Sequence, residues 1–123
     1  MPEQTYSEEE VRALLARDLP HWYYEEGWIR RKFRTEGWKG TLMVVNTVGH
    51  LAEAAWHHPD LTVSYAYVIV KLMTHTAKGI TDKDLALARK IEEVVHWRPG
   101  VTGGPLSGTP ADDQRFRYIK YDY

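Results

Sequence analysis

The chain contains no cysteine, which excludes disulfides, thiolate zinc sites and cysteine nucleophiles and suits a reducing compartment. Long hydrophobic runs are missing too: no stretch approaches the roughly 18 uninterrupted apolar residues of a membrane span. The segment from Met1 to Glu10 is acidic and lacks the apolar core of a secretion signal. A soluble, cytoplasmic protein is expected. Nor is there an excess of one charge, because 16 basic and 17 acidic side chains leave a net −1. Without a global field, nucleic acid and anionic membranes are not expected partners. The glycines between Gly100 and Gly108 lack a Gly-Lys-Ser/Thr ending, so ATP chemistry is not expected either. Internal repeats and low-complexity tracts are absent.

What is present is aromatic surface. Five tryptophans and eight tyrosines in 123 residues supply large buried area with polar handles, favouring a compact core and an oligomer. The length allows one core and not two ordinary domains. Ser7 followed by Glu8, Glu9 and Glu10, with Val11, Leu14, Leu15 and Leu19 at helical spacing, predicts a capped amphipathic helix stopped by Pro20. His21 to Tyr24 and Trp28 to Thr35 around Glu25-Glu26-Gly27 predict a β-hairpin. The run Arg30, Arg31, Lys32 and Arg34 reads as a solvated strand face rather than a nucleic-acid surface.

From Trp38 to Trp56 the stripe Leu42, Val45, Val48, Leu51 or Ala52, and Ala55 predicts a long helix. Gly40 and Gly49 weaken it, so one or both should permit a close approach. Leu61 to Thr76 predicts strand, either continuous or folded into a hairpin near Ala66. Thr81 with Asp84 resembles a capping box opening a third helix whose Leu85, Ala88, Ile91, Val94 and Val95 face the core. Residues 98–110 hold three prolines and four glycines, which predicts a linker without regular structure. Beyond it, Arg115 to Tyr121 alternates charges and aromatics and could add to a sheet edge of its own or a neighbouring subunit. The expected domain is therefore 1–97, with 98–123 a linker and tail.

Function should lie between Glu53 and Asp84, which holds three of the six histidines. Glu53, His57, His58 and Asp60 cluster at a helix-to-strand junction, and His75 closes a strand that could run alongside. Imidazoles, with ordinary pKa near 6.5, exchange protons at neutral pH. Two other accounts compete. Adjacent histidines at a helix end can simply cap carbonyls. Metal binding is a poorer fit, because neighbouring histidines do not readily converge on one ion and no His-x-x-x-His spacing occurs. No metal is expected. His50, His21 and His96 read as structural or solvated.

These residues resemble the pterin-4a-carbinolamine dehydratase family over about residues 7 to 97. The resemblance is carried by Glu53-x-x-x-His57-His58-Pro59-Asp60, the aromatic Tyr65, Thr74-His75, and Gly79-Ile80-Thr81-x-x-Asp84 before Leu85-Ala86. It implies an α+β fold, a four-stranded antiparallel sheet with three helices packed on one face, here with a C-terminal extension, assembled as dimers or dimers of dimers. It also implies dehydration of a 4a-hydroxytetrahydropterin to the quinonoid dihydropterin without metal or organic cofactor. By position, His57 and His75 match the family's acid–base histidines. His58 matches the pterin-orienting one, with Glu53, Asp84, Pro59 and Tyr65 around the substrate and Trp22 loosely matching an aromatic at the rim. The tail, with Trp97-Arg98-Pro99 and Gly108-Thr109-Pro110, resembles a subgroup whose members assist RuBisCO assembly. That implies a second role, a protein-binding module with RuBisCO or another protein as client, as relatives serve a homeodomain transcription factor.

Overall fold

The computed structural model describes residues 3–110 and 112–121. The elements are α1 (Glu8–Asp18), β1 (Tyr23–Glu25), β2 (Trp28–Thr35), α2 (Trp38–Ala55), β3 (Asp60–Ser64), β4 (Tyr67–Leu72), α3 (Asp82–Val95), the single turn α4 (Pro99–Thr102) and β5 (Ile119–Lys120). The strands form one antiparallel sheet in the order β1-β2-β4-β3, and β5 adds beside the far end of β2. The class is α+β, as expected. The tail contributes the fifth strand within its own chain.

Local chemistry accounts for the elements. Ser7 accepts from the Glu10 amide while Glu10 reaches back to the Ser7 amide, a capping box that starts α1. Glu26 and Gly27 both take positive φ (50° and 86°), as the two-residue turn of the β1–β2 hairpin requires. The alternation of β2 and β4 drives Ile29, Phe33, Val68, Val70 and Leu72 against Val11 and Leu15 of α1, Val44 and Val48 of α2, and Leu85, Ala88 and Ile91 of α3. Each such fully buried aliphatic or aromatic side chain contributes about 1.5–3 kcal/mol. The other face of the sheet carries Lys32 over the Tyr67 ring and Lys71 over Trp28.

Four expectations need correction. The buried stripe of α2 is Gly40, Thr41, Val44, Val48 and Ala52, not Leu42, Val45 and Ala55; Leu42 and Ala55 are exposed and Val45 half-buried. Two contacts set that rotation. The Tyr118 carbonyl approaches Gly40 so closely that a Cβ there would lie 2.0 Å from the oxygen, and the Thr41 hydroxyl is satisfied by Thr35 and the Tyr65 carbonyl. Gly49, by contrast, meets nothing. In α3 Leu87 is buried and Val94 exposed. Arg31 departs from the solvated basic strand: it lies on the helix-facing side, 2% exposed, because Glu92 of α3 meets it there. Finally, 98–110 is not wholly irregular, since Pro99 opens α4.

Candidate active site

Helix α2 ends at Trp56, whose left-handed conformation (φ 53°, ψ 46°) turns the chain out of the helix. The His57 amide still bonds the Ala52 carbonyl at 3.1 Å, and the next two residues lead into β3. The two imidazoles then diverge. His57 turns inward and its Nε2 lies 2.6 Å from Asp84 Oδ1, with the histidine side chain 14% exposed and the carboxylate fully buried. Asp84 stands at the third position of α3, where its Oδ2 accepts the Thr81 amide at 2.9 Å and the Thr74 hydroxyl at 2.7 Å. Its hydrogen-bond partners are thus an imidazole, an amide and a hydroxyl, with no ammonium or guanidinium among them.

His58 turns outward. Its Nε2 is 2.8 Å from Glu53 Oε1, both groups exposed, and its ring meets Trp56 edge-on, centroids 5.1 Å apart. His75 follows Thr74 and its ring packs edge-on with Trp28 at 5.5 Å. Because β3 and β4 are antiparallel with Asp60 opposite Lys71, the residues entering β3 and those leaving β4 share one end of the sheet. At that end stand the His57–Asp84 and His58–Glu53 pairs, half-buried Pro59 and, after β4, His75. Each ring has its own partner: Asp84 for His57, Glu53 for His58 and Trp28 for His75.

Two expected residues are elsewhere. Tyr65 sits in the β3–β4 turn, one length of β3 (about 16 Å) from the histidine end, 68% exposed. It lines a cleft of about 300 Å³ with Trp38, Lys39, Arg117 and Tyr118. Trp22 is not at the rim. It is 4% exposed, and its indole N–H donates to Glu92 Oε1 at 2.8 Å. Sequence reasoning missed Trp28 as the aromatic beside His75, Trp56 beside His58, and the Thr74 hydroxyl on Asp84. Strand alternation held a signal for Thr74, since it shares parity with the inward Val70 and Leu72. Among the described residues, no group of three or more His, Asp or Glu side chains is placed to hold a metal ion. No helix among them is long and apolar enough to cross a membrane.

A second acid–histidine cluster lies toward the other end of α3. Glu92 binds Arg31 Nε at 2.7 Å and Nη2 at 3.0 Å, and its Oε2 lies 3.3 Å from His96 Nδ1. Burial alone would raise the Glu92 carboxyl above its ordinary pKa. The hydrogen bonds and charge of Arg31, with smaller help from Trp22 and His96, outweigh it and hold the group below.

Comparison with known proteins agrees with this geometry. A family model described as Pterin 4 alpha carbinolamine dehydratase matches residues 4–94. The chain is 51% identical over 89 residues to an Aquifex aeolicus protein named "Putative pterin-4-alpha-carbinolamine dehydratase", covering 72% of this chain and 89% of that one. A Chloroflexus aurantiacus protein of the same name is 43% identical, covering 72% and 95%. Among solved structures, a "transcriptional coactivator/pterin dehydratase" from Brucella melitensis superposes with a TM-score of 0.68 at 26% identity, covering 75% of this chain and 99% of that one. A pterin dehydratase-like protein identified as a RuBisCO assembly factor in the alpha-carboxysome shares the fold, with a TM-score of 0.53 at 17% identity over 61% of this chain and 89% of that one. With residues 4–94 matched by the family model, a relative 51% identical over 72% of the chain, and the histidine motif at one end of an antiparallel sheet, the chain belongs to the pterin 4 alpha carbinolamine dehydratase family.

Proposed function

We propose that the chain dehydrates a 4a-hydroxytetrahydropterin to the quinonoid dihydropterin, with His57 and His75 as the acid–base pair and residues 1–97 carrying the activity. A protonated imidazole gives its proton to the 4a-hydroxyl, the C4a–O bond breaks and water leaves. A neutral imidazole takes the N5 proton as the N5 lone pair forms the C4a=N5 double bond. Atoms and charge balance without a redox partner. Positioned groups of this kind supply about 10²- to 10⁴-fold. His58, held by Glu53 on the exposed side, orients the ring, with Pro59 fixing its backbone. The flat heterocycle enters beside Trp28 and Trp56 rather than Tyr65.

The observation that carries this reading is the His57–Asp84 pair: a buried carboxylate holding a partly accessible imidazole, the arrangement expected of an oriented proton donor or acceptor. The alternative role, assisting RuBisCO assembly or serving another protein partner, rests on the aromatic tail and an exposed sheet edge. Ile119 and Lys120 are instead hydrogen-bonded to β2 of their own chain, at Thr35 and Arg34, which favours the enzyme. Stopped-flow measurement of carbinolamine dehydration with the purified chain is the test. The wild type should accelerate the reaction, and His57→Ala and His75→Ala should each lose most of that acceleration. Acceleration untouched by either substitution would reject the proposal.

A further inference from the structure

We infer that Thr74 is a positioning residue that acts through Asp84 on His57, fixing the imidazole tautomer whose Nδ1 is the nitrogen left to exchange protons. The role of Nδ1 in turnover rests on the function proposed above, whereas the tautomer does not.

Each proton around Asp84 has one place. Its Oδ2 receives the Thr81 amide, which can only donate, at 2.9 Å. The Thr74 hydroxyl has two oxygen neighbours, Asp84 Oδ2 at 2.7 Å and Thr81 Oγ1 at 2.8 Å, and a single proton. A carboxylate receiving donors suits its ionised, acceptor-only state, so the Thr74 proton goes to Oδ2. The Thr81 hydroxyl proton must then go to Thr74 Oγ1. Thr81 Oγ1 keeps a lone pair for the Lys83 amide at 3.2 Å, so every proton has one place. With Oδ2 saturated, Oδ1 also acts as an acceptor, and the group facing it at 2.6 Å, His57 Nε2, must be the N–H. Among the described residues no hydrogen bond holds Nδ1. Both threonines are buried, at 3% exposure, so water does not readily substitute for either hydroxyl. Without the Thr74 donor, Oδ2 keeps one hydrogen bond, and Asp84 is freer to rotate or to carry the shared proton itself.

Long-range proton–nitrogen NMR on the full chain reads the tautomer directly, and steady-state kinetics read its consequence. The wild type should show His57 protonated at Nε2 when neutral. Thr74→Val, nearly isosteric but without the hydroxyl, should mix the tautomers and lower kcat about tenfold with KM within twofold and a displaced pH–rate profile. Thr74→Ser should restore both readouts. A purely structural threonine would instead reduce the folded fraction and leave the tautomer, and kcat per folded molecule, unchanged; that result overturns the inference. So does a wild-type His57 carrying its proton on Nδ1, a measurement that needs no variant to fold. An Nε2–H wild type that mixes on Thr74→Val but performs no dehydration would overturn the proposed function and leave the assignment of Thr74 standing.

Discussion

Helix α3 carries a carboxylate–histidine pair near each end, and the two behave as different devices. Near its N-terminus, Asp84 is fully buried and its partners are a hydroxyl, an amide and His57, so His57 alone among them can bring positive charge. Near its C-terminus, Glu92 is met by the guanidinium of Arg31, itself 3% exposed, before His96 contributes anything. Two chemically similar pairs thus differ in whether an arginine is supplied: one is the candidate site, the other a strut. The strut is neutralised in the resting fold. At Asp84 no such cation is supplied among the described residues, and under the proposed function His57 is left to exchange a proton with the substrate.

The comparison breaks most visibly at Asp84. Asp84→Asn keeps the volume and the acceptor for Thr74 and Thr81 but removes the charge that His57 answers. Dehydration should fall about a thousandfold, the middle of the range for positioned acid–base groups, while urea unfolding shifts far less. An Asp84→Asn variant with near-wild-type rate would mean that the N-terminal pair is a strut as well.

Glu92→Gln should give the opposite pattern. Removing the charge takes from the buried Arg31 guanidinium the carboxylate that receives its Nε and Nη2, a loss of about 3 kcal/mol in urea unfolding, with kcat per folded molecule unchanged. The pH dependence follows from the lowered Glu92 pKa. A depressed folded-state value contributes stability above the unfolded carboxyl's ordinary pKa of about 4.3, lost as pH falls through the folded value. Wild-type stability should therefore decline on acidification below about pH 4.3, and that limb should be shallower in Glu92→Gln.

Much of this layout was legible in the sequence, and the failures have identifiable causes. Ser7 with Glu10, and Thr81 with Asp84, announce both helix starts because capping chemistry is local. The β3–β4 hairpin lacked a glycine signal, yet the histidine motif still fell at one end because antiparallel pairing dictates it. Arg31 was misread because strand parity placed it inward while its charge argued outward, and only Glu92, 61 positions away, decides between them. Trp22 misses its expected place at the rim for the same reason: its indole N–H meets Glu92 inside, and the aromatic beside His75 is Trp28. The rotation of α2 depended on Tyr118 and Tyr65, distant contacts that a helical stripe cannot reveal.

A third, smaller effect separates the tail from the site. Gly40→Ala would place a Cβ 2.0 Å from the Tyr118 carbonyl, so β5 must shift or detach, at a cost of about 1–3 kcal/mol for an overpacked contact. Hydrogen exchange should quicken at Ile119, buried in the native core, and at Glu36, whose amide bonds Tyr118. The dehydration rate should hold, because β5 pairs with the end of β2 remote from the histidines. A matching fall in rate would show that the strut side of the molecule reaches the site.

The smallest effect tests whether the site end stores strain that the strut end does not. Trp56 is 76% exposed and sits at φ 53°, a left-handed conformation that costs a non-glycine residue about 1–2 kcal/mol. Helix termination alone would favour glycine there. The tryptophan instead lays its ring against His58, the imidazole that the proposed function sets against the substrate, and orienting that ring would account for the local cost. Trp56→Gly should raise stability by about 0.5 kcal/mol after the greater entropy of glycine in the unfolded chain is subtracted, while KM rises and kcat changes little. A stabilised variant with unchanged KM would make Trp56 an ordinary cap, and the aromatic side of the site would then consist of Trp28 alone.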